Sequence, residues 1–246
     1  DILGDVVNDV GGQIVTSGGA TTTIFDDVEH NGDEIRTSSD SRIVIFGQAS
    51  GAGPYTGDGT VYFEGDLRPG NSPGTVTFGG NVVLGPSSAT KIELGGTIRG
   101  DEHDAMIVDG NFTLDGSLDV LTIGGFVPQA GDLFDIFDFE PANLSGLFDS
   151  VNLPTLTSGL VWDQTNLYTT GELLVLLSQI SGDFDGDGDV DGDDFLLWQN
   201  GFPVSAGAAL LDGDADGDGD VDGDDFLIWQ NSFPYPAELS AVPEPN

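Results

Sequence analysis

The end of the chain contains the same acidic segment twice. Residues 183–203 read DFDGDGDVDGDDFLLWQNGFP, and residues 214–234 read DADGDGDVDGDDFLIWQNSFP. In each copy aspartates occupy alternate positions, glycine follows the third of them, and a short apolar stretch with Phe and Trp comes next. Carboxylates this close repel one another unless cations offset their charge. The repeat therefore restricts this segment to a fold that holds two clusters of oxygen atoms.

The aspartates fall at positions 1, 3, 5, 7, 9 and 12 of a twelve-residue loop. They are Asp183, Asp185, Asp187, Asp189, Asp191 and Asp194 in the first copy, and Asp214, Asp216, Asp218, Asp220, Asp222 and Asp225 in the second. This is the spacing of an EF-hand calcium loop, in which position 7 contributes its backbone carbonyl and glycine at position 6 makes a sharp turn. Position 12 is Asp here, where the EF-hand has a bidentate Glu. The sequence predicts two Ca²⁺ sites and leaves room for further ones.

Each loop is followed by a short helical pattern, DDFLLWQN or DDFLIWQN, and is preceded by none. This arrangement, over about residues 182–235, resembles the type I dockerin module. The resemblance implies exit helices that bind a cohesin-like partner. Val190 and Val221, at position 8 of the loops, are expected to pair as a small β-bridge. The expected core of the module is Phe195, Leu196, Trp198, Phe226, Leu227 and Trp229.

Residues 1 to about 180 have the pattern of short β-strands. Runs rich in Val, Ile, Thr and Phe, separated by Gly, Asn, Asp and Pro, occur at 13–16, 22–25, 42–46, 60–63, 75–78, 91–94 and 105–108. Few of them are joined by tight hairpin signals, and glycine marks the corners. The sequence favours a mainly β fold, a right-handed parallel β-helix (solenoid), with a β-sandwich as the alternative.

The composition of the chain changes at about residue 127, which suggests an element that closes the open end of the solenoid. Bulky aromatic residues become frequent and irregularly spaced over about 127–177, and further strands of the same domain fit this pattern equally well. The predicted domains are a β-solenoid at 1–180, a small α-helical calcium module at 181–236, and a tail at 237–246. The expected cap residues are Phe134, Ile136, Phe137, Phe139, Leu147, Phe148, Leu153, Leu160, Trp162, Leu167 and Tyr168.

Two further segments resemble bacterial surface proteins. GDLRPGNSPGTVTFGGNVVLG, at 65–85, is similar to autotransporter-like β-helical repeats, and VPEP, at 242–245, resembles the start of a PEP-CTERM sorting signal. These resemblances imply a protein that is secreted or held at the cell surface. The chain also opens within strand-like sequence, as a mature protein would after cleavage of a leader.

The formal net charge of −38 limits the partners of the chain. Such a charge repels nucleic acids and anionic membrane surfaces and favours divalent cations. The longest apolar run, at 173–177, is far shorter than the roughly 20 residues that span a membrane, so no membrane insertion is expected. Loops built from carboxylates alone suit the millimolar calcium outside cells. The predicted location is therefore extracellular or at the cell surface.

The sequence contains no recognisable catalytic motif, and we expect no enzymatic activity. The acidic clusters with histidine at 26–30 and 101–104 are interpreted as solvated turns rather than metal or acid–base sites. Asp132, Asp135 and Asp138 alternate with bulky apolar residues and are interpreted as a strand edge that faces water or extra cations.

Three functions remain open at this point. The first is a structural or adhesive surface protein that assembles head to tail with itself into fibres or a surface layer, because the chain starts in β-pattern without a polar cap. The second is a binding module that docks the β-domain onto a cohesin-like receptor. The third is a carbohydrate-active β-helical enzyme. Cell-surface glycans are a further candidate partner.

Overall fold

A computed structural model describes residues 1–157, 159–178 and 180–233 of the chain. They divide into two compact units. Unit 1 comprises Asp1–Leu156 and Trp162–Val175, and unit 2 comprises Thr157–Val161 and the chain from Leu176 onward. The predicted tail at 237–246, with its sorting-signal resemblance, lies outside the described residues, as do residues 234–236 of the predicted calcium module.

The described residues form short strands throughout unit 1 and two α-helices in unit 2. The helices are α1 (Gly192–Gly201) and α2 (Gly223–Ser232), and short 3-10 helices lie at Pro141–Asn143 and Leu210–Asp212. The strands are β1 (Val6–Asn8), β2 (Gln13–Thr16), β3 (Thr21–Ile24), β4 (Val28–His30), β5 (Glu34–Thr37), β6 (Arg42–Ile45), β7 (Ala49–Gly51), β8 (Tyr55–Thr56), β9 (Thr60–Phe63), β10 (Leu67–Pro69), β11 (Thr75–Phe78), β12 (Asn81–Leu84), β13 (Ala89–Leu94), β14 (Ala105–Val108), β15 (Phe112–Leu114), β16 (Ser117–Thr122), β17 (Leu133–Asp135), β18 (Phe137–Phe139), β19 (Leu144–Gly146), β20 (Ser150–Asn152), β21 (Leu160–Asp163) and β22 (Glu172–Leu177).

Successive strands of unit 1 are distributed over three parallel sheets. One sheet has the order β1-β4-β7-β10-β13-β16-β20, the second β18-β14-β11-β8-β5-β2, and the third β19-β15-β12-β9-β6-β3. Each strand from β1 to β13 therefore pairs with the strand three places further along the chain, and β14, β15 and β16 pair with the strand four places further. This order is compatible with a solenoid-like fold and differs from the antiparallel pairing of a β-sandwich. A smaller sheet has the order β17-β22-β21, in which β17 and β22 are antiparallel.

The core of unit 1 is built from ladders of stacked apolar side chains. Ile24 pairs with Ile45, Ile45 with Phe63, and Phe63 with Leu84, and all four side chains are buried. Alternation along each strand sends every second side chain inward, so that equivalent positions of neighbouring strands meet. The same alternation sends the intervening polar residues to the outer face.

The region predicted to close the solenoid contributes buried aromatic residues. Phe137 packs on Phe112 and Phe148, with ring centroids 5.8 and 6.0 Å apart respectively, and Phe134 packs on Trp162 at 5.7 Å. Of the expected cap residues, five are fully buried and Leu147 is exposed. The buried residues are Phe134, Ile136, Phe137, Phe148 and Leu167.

The interpretation of the two histidine clusters as solvated turns is wrong for both histidines and for Asp104, although the other aspartates of the clusters and Glu29 are exposed. His30, His103 and Asp104 are all buried. The Nδ1 atom of His30 lies 3.1 Å from the Asn8 amide nitrogen and 3.3 Å from the Gly32 backbone nitrogen, and its Nε2 atom lies 2.9 Å from the Pro54 carbonyl oxygen. Two donors at Nδ1 and an acceptor at Nε2 require the neutral ring with its proton on Nε2. The His30 ring is thus part of the interior.

Burial lowers the pKa of both His30 and His103, because the charged ring loses its hydration. We expect both rings to titrate below the ordinary value of about 6.5. The unfolded chain then takes up protons first, and unit 1 loses stability as the pH falls from 6.5 through the folded values. An NMR pH titration of the chain's two imidazoles measures this, with the denatured chain as control. A folded ring that titrates at or above the denatured one contradicts the prediction.

Candidate metal centre

The helices of unit 2 begin directly at the ends of the acidic loops. Asp191 is the N-cap of α1 and Asp222 the N-cap of α2, and each accepts a hydrogen bond from the amide two residues on. Asp194 and Asp225, at the third helical position, complete a capping box in both helices. A short side-chain oxygen at these positions satisfies amides that the first helical turn leaves free. The loop aspartates therefore also start the helices.

The position-12 carboxylates are buried and bound to the backbone of their loops. Asp194 is 1% exposed. Its Oδ1 accepts hydrogen bonds from the amides of Phe184 (2.6 Å) and Asp185 (3.1 Å), and its Oδ2 accepts one from the amide of Asp191 (2.7 Å). Asp225 makes the corresponding bonds in the second loop, at 2.7, 3.3 and 2.7 Å. Each of these carboxylates ties the start of its loop to the end.

The position-1 carboxylates hold the turn of each loop. The two oxygens of Asp183 accept hydrogen bonds from the amides of Gly186 (2.7 Å) and Gly188 (3.0 Å), and Asp214 makes the same pair of bonds in the second loop. Gly188 has φ 96° and Gly219 has φ 90°. The turn thus needs the left-handed backbone that glycine adopts without strain, as the sequence predicts for position 6.

The loops bring carboxylate oxygens within 4.8 Å of one another in four groups of three. Asp187 belongs to none of these groups; its Oδ1 accepts a hydrogen bond from the Asp189 amide at 3.1 Å. These groups could hold a metal ion. They are Asp183, Asp185 and Asp194; Asp189, Asp191 and Asp194; Asp214, Asp216 and Asp218; and Asp220, Asp222 and Asp225.

The electrostatics of the loops favour a bound cation. Burial raises the pKa of Asp183, and the charges of Asp194 and Asp187 raise it further. The Oδ1 atoms of Asp189 and Asp220 are buried without a hydrogen-bond partner. A buried oxygen without a donor is costly unless something positive lies against it. The donor set, which consists of oxygens only, therefore fits a hard divalent ion.

A reciprocal pair of tryptophan hydrogen bonds joins the two loops. The Trp198 indole N–H donates to the Asp222 carbonyl at 2.9 Å, and the Trp229 indole N–H donates to the Asp191 carbonyl at 2.9 Å. Each helix thus holds the N-cap residue of the other. A Cβ atom on Gly182 would lie 3.0 Å from the Cα of Trp229, which leaves glycine as the residue that fits there. Sequence reasoning missed this link, whose only signal was the repetition of Trp at equivalent positions.

The core of unit 2 differs from the predicted one at two points. Leu196 and Leu227 were expected inside, but they are 52% and 50% exposed, because both lie on the outer faces of the short helices. Val190 and Val221 are buried, but the two described residues do not form the expected bridge with each other. The Val221 amide instead donates to the Val204 carbonyl at 2.7 Å. Phe195, Trp198, Phe226 and Trp229 do pack together, with Phe195 and Trp229 at 5.0 Å and Trp198 and Phe226 at 5.1 Å.

Comparison with known proteins adds no identification. No protein-family model matches the chain, and neither does any curated protein or solved structure. Within the described residues, neither α-helix has the length and apolar character needed to cross a lipid bilayer.

The tryptophan link predicts that removing either indole N–H destabilises the helical unit. Trp198→Phe or Trp229→Phe leaves a carbonyl without its donor and should lower the free energy of unfolding by about 1 kcal/mol. Far-UV circular dichroism of the helical signal during denaturant unfolding measures the change. Trp162→Phe is the matched control, because the Trp162 indole donates to the Pro154 carbonyl within unit 1. Equal effects of all three substitutions on the helical signal contradict the prediction.

Proposed function

We propose that this chain is an extracellular calcium-binding protein with a structural or adhesive role. The observation that carries the proposal is the pair of acidic loops, which repeat the same backbone hydrogen bonds residue for residue around clustered carboxylates. Clusters of oxygen ligands alone suit Ca²⁺, which takes six to eight of them in flexible geometry. Loops of this composition suit millimolar calcium, which supports a location outside the cell.

Each loop side chain has a distinct part in holding the ion. The carboxylates at positions 1, 3, 5, 9 and 12 would supply ligand oxygens, and position 7 its backbone carbonyl, as the EF-hand spacing implies. The bound ion supplies positive charge that offsets the repulsion among them. Asp194 and Asp225 also order the helix N-termini, so occupancy of the loops should favour α1 and α2.

The β unit supports the structural part of the proposal. Three parallel sheets with strands at every third place are the arrangement expected of a right-handed parallel β-helix, which is the fold we propose for unit 1. The strands β1, β2 and β3 end the three sheets on one side, and β20, β18 and β19 end them on the other. Two of these edges are already partly paired, because Ile2 bridges Ile24 of β3 and the Phe137 amide of β18 donates to the Gly171 carbonyl. Strands with one unpaired edge can accept strands of a second copy. A contact of this kind between unlike edges repeats head to tail and gives a filament.

A second candidate function is docking of unit 2 on a receptor. Leu196 and Leu227 occupy equivalent positions of α1 and α2, and both are about half exposed. Two exposed leucines related by an internal repeat favour a partner that contacts the helices, as the dockerin resemblance implies for a cohesin-like protein. A pull-down with the whole chain and its Leu196→Asp, Leu227→Asp variant distinguishes this function, because it requires a partner other than the chain itself.

Isothermal titration calorimetry of the whole chain tests calcium binding. We expect two Ca²⁺ sites, and we expect Asp194→Asn to remove one of them and Asp225→Asn the other. Asp193→Asn is the matched control, because the exposed Asp193 belongs to none of the carboxylate groups. Absence of calcium uptake at millimolar concentrations, or equal losses in Asp193→Asn and Asp194→Asn, would refute the proposal.

Negative-stain electron microscopy tests self-assembly. We expect filaments or sheets in millimolar calcium, and we expect Val7→Lys to abolish them, because it places a charge on β1, where the valine is 61% exposed. Val127→Lys introduces the same charge at a valine that is 51% exposed and lies outside the strands. Monomers alone in the parent chain, or assembly that survives Val7→Lys, count against the filament.

A further inference from the structure

A cavity lies on the outer face of the seven-stranded sheet of unit 1. It has a volume of about 170 Å³, and its lining includes Ser50, two basic residues, Arg68 and Lys91, and three acidic ones, Glu29, Glu93 and Asp104. The pairing of the strands brings Ser50, Arg68 and Lys91 side by side. Ser50 of β7 pairs with Arg68 of β10, and the preceding residue, Leu67, pairs with Thr90, which precedes Lys91 of β13. Backbone register thus places the two cations next to each other.

The cavity holds two of the five basic side chains in a chain with 43 acidic ones. Lys91 forms an ion pair with Asp66, and Arg99 elsewhere pairs with Asp135 at 2.7 Å. Within the described residues, Arg68 has no carboxylate within 4.0 Å. Its guanidinium therefore keeps its fork of donors for a ligand. A fork of this kind binds a carboxylate through two parallel hydrogen bonds.

The carboxylates in the lining of the cavity supply acceptors. Asp104 is 2% exposed, and its two oxygens accept hydrogen bonds from the amides of Gly74 (2.8 Å) and Glu93 (2.9 Å). These bonds fix the wall, and each oxygen keeps a further lone pair. The Glu93 carboxylate accepts the hydroxyl of Ser72 with one oxygen. A ligand in this cavity can therefore place an anionic group on the cations and donate hydroxyl protons to the carboxylates.

A second, shallower cavity continues the surface beyond Lys91. It has a volume of about 540 Å³, and Lys91, Asp119 and Asn152 line it. Lys91 pairs with Asp119, and Asp119 with Asn152, on successive strands. Neighbouring strands lie about 4.8 Å apart, so the polar groups recur at regular intervals across the sheet. Such a row suits a ligand of repeated polar units rather than a single small molecule.

We propose that this face of unit 1 binds an acidic glycan, with a uronic acid unit in the deeper cavity. The sugar carboxylate would lie on Arg68, beside the ion pair of Lys91 with Asp66, and its hydroxyls would donate to Glu93. The next units would lie along Asp119 and Asn152. A neutral sugar leaves the Arg68 guanidinium unused. The site does not involve the acidic loops and stands independently of calcium binding.

Titration of the whole chain with a short oligogalacturonate tests the proposal. We expect Arg68→Ala to weaken binding on the order of tenfold, because it removes a charge-assisted contact. Arg42→Ala is the matched control, since Arg42 is exposed on β6, a strand of another sheet. Arg68 is itself exposed, so its removal should leave the fold intact, and Arg68→Lys should bind at an intermediate level because it keeps the charge without the fork.

Two control experiments distinguish binding at this site from other causes of binding. A neutral maltooligosaccharide of the same length should not bind measurably. A chain with both Asp194→Asn and Asp225→Asn should bind oligogalacturonate as well as the parent. Binding that is lost in this loop variant, or that is equal in Arg68→Ala and Arg42→Ala, would show bridging by loop-bound ions or non-specific association and would overturn the proposal. Absence of binding to the parent chain would overturn it as well.

Discussion

Mutual repulsion of carboxylates is the constraint on which unit 2 depends. Its loops hold groups of three carboxylates with oxygens within 4.8 Å of one another. Backbone amides offset part of this repulsion, since Asp183 and Asp194 each accept two or more of them. Amides do not reach every oxygen, because Asp189 and Asp220 each keep a buried oxygen without a donor. A cation held by these groups would offset the rest of the repulsion, and without one the charges oppose the same geometry that the amides support.

The helices share this dependence because the loop carboxylates are also their caps. Asp194 closes the first loop and at the same time holds the amide of Asp191, the N-cap of α1. Helices of this length are marginal by themselves, so their N-terminal order cannot be separated from that of the loop. The indole of Trp229 couples the first loop to the second helix, because Trp229 belongs to α2 and its N–H donates to the carbonyl of Asp191. Order in one loop therefore favours order in the other, and by linkage the effect is reciprocal.

The sequence predicts much of the strand pattern, and the reason is local. The strands expected at 13–16, 60–63, 75–78 and 105–108 have these bounds in the structure. In these segments, alternating β-branched and aromatic residues bounded by turn residues determine the strand without reference to distant parts of the chain. The parallel pairing was also predictable in outline, because few hairpin signals join the runs. The order of the strands within each sheet could not be predicted from the sequence, because no local pattern indicates which strand pairs with which.

The wrong predictions of solvent exposure concern residues whose surroundings come from distant segments. Asp104 looked like part of an exposed acidic turn, but the amide of Gly74, thirty residues earlier, binds its carboxylate in the interior. His30 can be buried because Asn8 and Pro54 are hydrogen-bond partners of its ring nitrogens. The prediction that Leu196 is buried is wrong for the opposite reason. Its apolar character suggests burial, but a helix of three turns that packs on one side only leaves a residue on its other side exposed. The candidate loops were predictable because all their ligands lie within twelve consecutive residues.

The inward and outward faces of the sheets in unit 1 place different requirements on their side chains. Inward positions are set by packing, so their ladders of Ile, Phe and Leu vary little in chemistry. Outward positions carry no such requirement, and in a chain with 43 acidic residues they are mostly a source of repulsion. An arginine there gains by pairing with a carboxylate, as Arg99 does with Asp135. Arg68 has no such pair, although Glu93 and Asp104 line the same cavity. Those carboxylates instead bind a hydroxyl and backbone amides, so the cavity presents both donors and acceptors, which a ligand with both kinds of group requires.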